Sequence, residues 1–216
     1  MNSLLAVVTR VFAVLMIATV TGCASSDNRS QTSKTIESLS GMKTSVANAQ
    51  AQVDRLIASM NAISTGNDLE NSYKAFNKEV AELRAAGDRA AARGAALQEK
   101  ESEYIDKWQK EIDPGKDAAE RAVAEQRRNA VEENYQAAKN AGQSVRQAYG
   151  PLNGRLTDIQ RSLSGNLTPQ GVAQVRAVID GAREQARDLK NRLAAFGAAL
   201  DRMQAGLAAS GGASAK

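Results

Sequence analysis

Apolar residues in this chain recur at alternating intervals of three and four over most of its length, and that spacing constrains the fold more than any other feature. The first run is Leu39, Met42, Val46, Ala49, Val53, Leu56, Met60 and Ile63, with no position missed. Such steps keep every member on one side of an α-helix, because their mean lies close to the helical repeat of ~3.6 residues. A strand would need alternation at every second residue. Each run therefore specifies a long helix with one apolar seam, and another helix must cover that seam.

Three further runs follow. The second is Leu69, Tyr73, Phe76, Val80, Leu83, Gly87, Ala90, Gly94, Leu97, Glu101, Tyr104 and Trp108. The third is Val131, Tyr135, Ala138, Gly142, Val145, Tyr149, Leu152, Leu156, Ile159 and Leu163. It crosses Gly150-Pro151 without losing phase, which reads as one long helix kinked at Pro151. The fourth is Val172, Val175, Ile179, Ala182, Ala186, Leu189, Leu193, Phe196, Leu200, Met203 and Leu207. In the middle of the second and third runs the residues shrink to glycine. Each such glycine costs about 1 kcal/mol against alanine, so Gly87, Gly94 and Gly142 are read as points of close helix packing.

Turn signals separate the runs. Gly66 suits a left-handed helix end, and Asn67 with Glu70 fits a capping box. Asp113-Pro114-Gly115-Lys116 is a turn, and Asp117 with Glu120 fits a second box. Thr168 with Pro169 is a cap followed by a first-turn proline. The expected helices are about 35–63, 68–112, 117–164 and 169–208, with 209–216 a disordered tail. Short connections make neighbours antiparallel. The fold class is all-α: an elongated antiparallel bundle or coiled coil of four helices, the second near 70 Å long and the third and fourth similar. Folding the chain at 113–116 sets Gly94 opposite Tyr135, Gly87 near Gly142 and Val80 near Tyr149. The seam suits a bundle closed within one chain and an oligomeric coiled coil equally.

The amino terminus has a different grammar. Residues 1–22 carry Arg10 and then an apolar run from Val11 to Val20. That run is too short to span a bilayer and reads as a signal peptide. It ends in Val20-Thr21-Gly22-Cys23, which resembles the lipobox of bacterial lipoproteins. The resemblance implies cleavage before Cys23 and lipid on its sulfur, with Val20, Thr21 and Gly22 recognised by the signal peptidase. Ala24 stands where that class uses aspartate for inner-membrane retention. The expected location is therefore the periplasmic face of the outer membrane of a Gram-negative bacterium. Residues 23–34 are expected to form a flexible tether to the bundle.

Composition narrows the chemistry. There is no histidine and one cysteine, which removes the usual general base, the commonest metal ligand and any internal disulfide. The adjacent acids Glu132-Glu133 and the pair Glu101 and Glu103 point apart on a helix and read as solvated faces. No enzyme, cofactor or metal is expected. The net charge of +4 is small for the length. Arg121, Arg127 and Arg128 are interleaved with acids, so no nucleic-acid partner is expected. Lys216 ends the chain. Lipidated cysteine, coiled coil and terminal lysine together resemble the layout of murein lipoprotein, which implies a peptidoglycan contact.

The segments DLENSYKAFNKEVAELRAAGDRAAARG, DKWQKEI with its lone Trp108, and AAERAVAEQRRNAVEENYQAAKNAGQSVRQAYGPLNGRLTDIQRSLSGNLTPQGVAQV are similar to an uncharacterised bacterial family of helical envelope proteins. That family brings no activity and no site residues. The expected role is a scaffold, spacer or adaptor for an envelope protein. The alternative is a cell-wall-binding or lipid-binding module in envelope maintenance or transport.

Overall fold

A computed structural model of the chain describes residues 24–66, 68–111 and 117–212, with side chains described over 33–66, 68–96, 117–119 and 121–208. Four helices account for nearly all of it: α1 (Ala24–Thr65), α2 (Leu69–Glu111), α3 (Ala118–Gly165) and α4 (Pro169–Gly212). They run up, down, up and down in a ring. The α3–α4 interface is the most extensive, followed by α1–α2 and α1–α4, while α2 and α3 share the thinnest.

The heptad residues form the core. Leu39, Val53, Leu56, Met60 and Ile63 of α1 are buried against Phe76 and Val80 of α2 and against Ile179, Leu200 and Leu207 of α4, with Leu152, Leu156, Ile159 and Leu163 of α3 completing it. Among the described residues the large hydrophobic side chain left exposed is Val123, at 46%. Over the described residues, one chain thus covers its own seams.

Ion pairs and polar bonds on the rims fix the α1–α4 register. Lys43 pairs with Asp201 at 2.5 Å, Lys190 with Asp54 at 2.6 Å, and Arg183 donates to the Asn61 side-chain carbonyl at 2.7 Å. A polar cluster ties α1 to α2, where buried Gln52 donates to the backbone oxygen and Oε2 of Glu79 at 3.0 and 2.8 Å.

Helix ends follow local chemistry. Gly66 adopts φ +71° and closes α1, as its permissive backbone allows. Thr168 caps α4: its Oγ1 accepts the Gly171 N–H at 3.0 Å, with Pro169 in the first turn. At the start of α2 the described capping residue is Asp68. Asp68 Oδ1 accepts the Asn71 N–H at 3.2 Å, and Asp68 Oδ2 accepts from the Asn71 side chain at 2.7 Å. Asn67 lies outside the described residues, and so does the Glu120 side chain.

Pro151 lies inside a continuous α3. Both Pro151 and Gln147, whose carbonyl loses its partner, are exposed, so water can replace the missing bond.

Two boundaries differ from expectation. α1 begins at Ala24, across the stretch read as a tether. Residues 24–34 hold neither proline nor glycine, so a helix nucleated by the packed part extends through them, one bond per residue fixed. Among the residues whose side chains are described, packing starts at Thr35. α4 likewise continues to Gly212, into the expected tail, through residues rich in alanine.

Candidate functional site

The core is not filled evenly. Midway along the bundle the heptad positions Ala49, Gly87, Ala90, Gly94, Gly142, Val145, Tyr149 and Phe196 are half-buried, although Val46, Val53, Leu83, Ala138, Leu152, Leu193 and Leu200 beside them are buried. These residues surround a cavity of about 290 Å³ to which all four helices contribute. Met42 and Val46 of α1, Leu83 of α2, and Leu189 and Leu193 of α4 form its apolar floor. Asp88 and Ala91 of α2 and Arg146 of α3 line it too and are exposed, so the cavity reaches the surface along the α2–α3 seam.

The three glycines marked by spacing all border this cavity. They do not bring helix backbones together. A Cβ on Gly87 would meet Tyr149 Cζ at 3.4 Å and Oη at 3.5 Å, one on Gly94 would meet Arg146 Nη2 at 3.5 Å, and one on Gly142 would meet Phe196 Cε2 at 3.5 Å. Gly87 thus faces Tyr149, one heptad along from the expected Gly142, and Gly94 faces Arg146 instead of Tyr135. Sliding one helix by seven residues leaves apolar facing apolar, so the seam alone cannot choose between the two registers.

Polar side chains make the choice. Arg84 donates through Nε to Asn153 Oδ1 at 2.8 Å and through Nη2 to Thr157 Oγ1 at 2.9 Å. Gln160 donates to Asn77 Oδ1 at 2.8 Å, and the Tyr73 hydroxyl donates to the Gln160 backbone carbonyl at 2.8 Å. This polar ladder closes the α2–α3 seam between the cavity and the α1–α2 turn. The other seams of the ring have apolar interiors with polar bonds at their rims.

Tyr149 stands at the join of ladder and cavity. Burial pushes its phenol pKa above the usual value; Arg84 draws it back, and the Asp88 carboxylate raises it further. The phenol stays neutral at physiological pH. Phe196 and the Tyr149 ring are the two aromatic walls, each leaning on a glycine of another helix.

Other residues singled out by sequence fall elsewhere. Glu132 and Glu133 are exposed and far from the cavity along α3. No group of three His, Cys, Asp or Glu residues capable of holding a metal ion occurs among the described residues, and no helix among them is long and apolar enough to cross a membrane. Val20, Thr21, Gly22, Cys23 and Lys216 lie outside the described residues, as do the side chains of Glu101, Glu103 and Trp108. The cavity itself was not anticipated. Its signal was present in the sequence, since a heptad run that shrinks in two helices at one level leaves volume unfilled.

A family model described as "Protein of unknown function (DUF2959)" matches residues 32–210. The chain belongs to this family. The match begins near the start of α1 and ends near the close of α4, so it spans all four helices. No curated protein and no solved structure matches the chain.

Proposed function

We propose that the protein is a non-catalytic envelope lipoprotein: a helical rod held by lipid on Cys23 at the periplasmic face of the outer membrane, serving as a scaffold, spacer or adaptor for another envelope protein. The observation that carries this reading is the rod itself. Helices of 42 to 48 residues give a body roughly 65 to 70 Å long, with its apolar seams turned inward and a polar exterior. Such a body is suited to holding two points apart. The described part of α1 is helical from Ala24 onward, which supports a helical and not an extended connection between anchor and rod.

The anchor is tested by metabolic labelling with an alkyne-bearing fatty acid. Label on the wild-type chain and none on Cys23→Ser is the expected result, and equal label on both rejects the anchor. The adaptor role is tested by proximity labelling from the anchored protein in live cells. A labelled set identical to that of an unrelated outer-membrane lipoprotein rejects it. The peptidoglycan contact through Lys216 predicts that sacculi boiled in detergent retain the chain until the wall is digested.

A further inference from the structure

The central cavity is maintained at a cost that helix packing does not explain. Gly87, Gly94 and Gly142 lie inside helices, where alanine is favoured at every position. A methyl group at each would lie 3.4 to 3.5 Å from its nearest neighbour, an ordinary contact distance. Sterics therefore permit alanine at all three, and alanine there would narrow the cavity. The three glycines share one consequence, which is open apolar volume at one level of the bundle. Empty volume of that kind forfeits dispersion contacts around its whole lining.

We propose that this cavity binds the alkyl chain of a single-chain amphiphile with an anionic head group, the chain among Val46, Leu83, Leu193 and Phe196 and the head beside Arg146. Three observations fix the ligand class. The floor is apolar, which excludes a sugar or nucleotide. The volume, about 290 Å³, is roughly twice that of a cavity known to take benzene, so it accommodates about a dozen carbons, one chain and not two. The mouth carries the Arg146 guanidinium and the Asp88 carboxylate, with no ion pair between them. No carboxylate among the described residues pairs with Arg146. An anionic head at the mouth would complete that pairing. Entry is along the α2–α3 seam, the thinnest of the bundle. The inference is independent of the lipid anchor and of any scaffold role.

The test uses the full chain without detergent, with an environment-sensitive anthracene probe displaced by straight-chain carboxylates from about six to about sixteen carbons. Affinity should rise about fourfold per added methylene and level off near twelve carbons, where the cavity is full. No displacement, or affinity that climbs without levelling as in simple partitioning, overturns the proposal. The triple variant Gly87→Ala, Gly94→Ala, Gly142→Ala should raise the Tm while weakening the best carboxylate at least about tenfold; undiminished binding overturns the assignment to this cavity. Arg146→Gln should weaken carboxylates about tenfold and leave alkyl alcohols of the same length unchanged. Equal loss for both, or for neither, removes the head-group part. A lysophospholipid with a phosphate head, run beside the free acid, separates the two sources: displacement by the acid alone assigns a carboxylate ligand, and displacement by both assigns anionic single-chain lipids in general.

Discussion

At the scale of single residues, the tightest point in the bundle is a glycine outside the heptad runs. A Cβ on Gly171 would lie 2.1 Å from the backbone oxygen of Asn166, and a backbone atom cannot swing aside. Gly171→Ala should therefore destabilise the protein by about 2–3 kcal/mol, measured by chemical denaturation; an unchanged midpoint would mean that the α3–α4 turn shifts freely. Asp68 offers a pH readout. Its hydrogen bonds from Asn71 hold its pKa below the ordinary aspartate value. A depressed carboxylate contributes stability that is complete above the unfolded pKa, near ~3.9, and is lost as pH falls through the folded pKa. The Tm gap between wild type and Asp68→Ala should be flat from neutral pH to about 5 and close on further acidification. Sequence showed the cap of α2 only to within one position, because Asn67 and Asp68 are both good capping residues and lie side by side. It gave no sign of Gly171, whose demand comes from a turn that folds Asn166 back over it.

At the scale of helices, the alternation of three and four was enough to place all four elements and nearly every buried side chain. It failed at ends that no packing enforces. Residues 24–34 look like a linker by polarity, yet nothing in them breaks a helix once Thr35 and Leu39 have been packed. Pro151 shows the reverse case, a helix breaker overruled by the apolar phase around it. Since Gln147 and Pro151 both face solvent, alanine at 151 would restore an amide donor without disturbing the core. Pro151→Ala should stabilise the protein by about 1–3 kcal/mol, read from the denaturation midpoint. A loss of stability would mean that the proline's bend is needed for the packing of Leu152 and Leu156.

At the scale of the whole molecule, heptad spacing could not decide between one chain and several, nor fix the register of α2 against α3. The structure gives the register. Among the described residues the seams face other helices of the same chain, and Arg84, Asn153, Thr157, Asn77 and Gln160 select the register through their cross-seam bonds. The chain should therefore behave in light scattering as a single copy, 22.9 kDa before any processing, with a longest dimension near 65–70 Å by small-angle scattering. A dimer mass would mean that a surface counted as exterior is an interface.

The uneven ring also has a mechanical meaning. α1 and α4 meet along an apolar line stapled by ion pairs, and each carries one further helix on its outer side. The molecule is in this sense a book, with α1 and α4 as the spine and α2 and α3 as covers closed by a clasp of amide and guanidinium bonds. Such a clasp can be undone one bond at a time, and water replaces each bond as it opens. The covers can part while the spine stays shut. Amide exchange should accordingly be faster in α2 around Ala85–Ala96 than at the same level of α4. Uniform exchange across the two would show a book that opens only by coming apart.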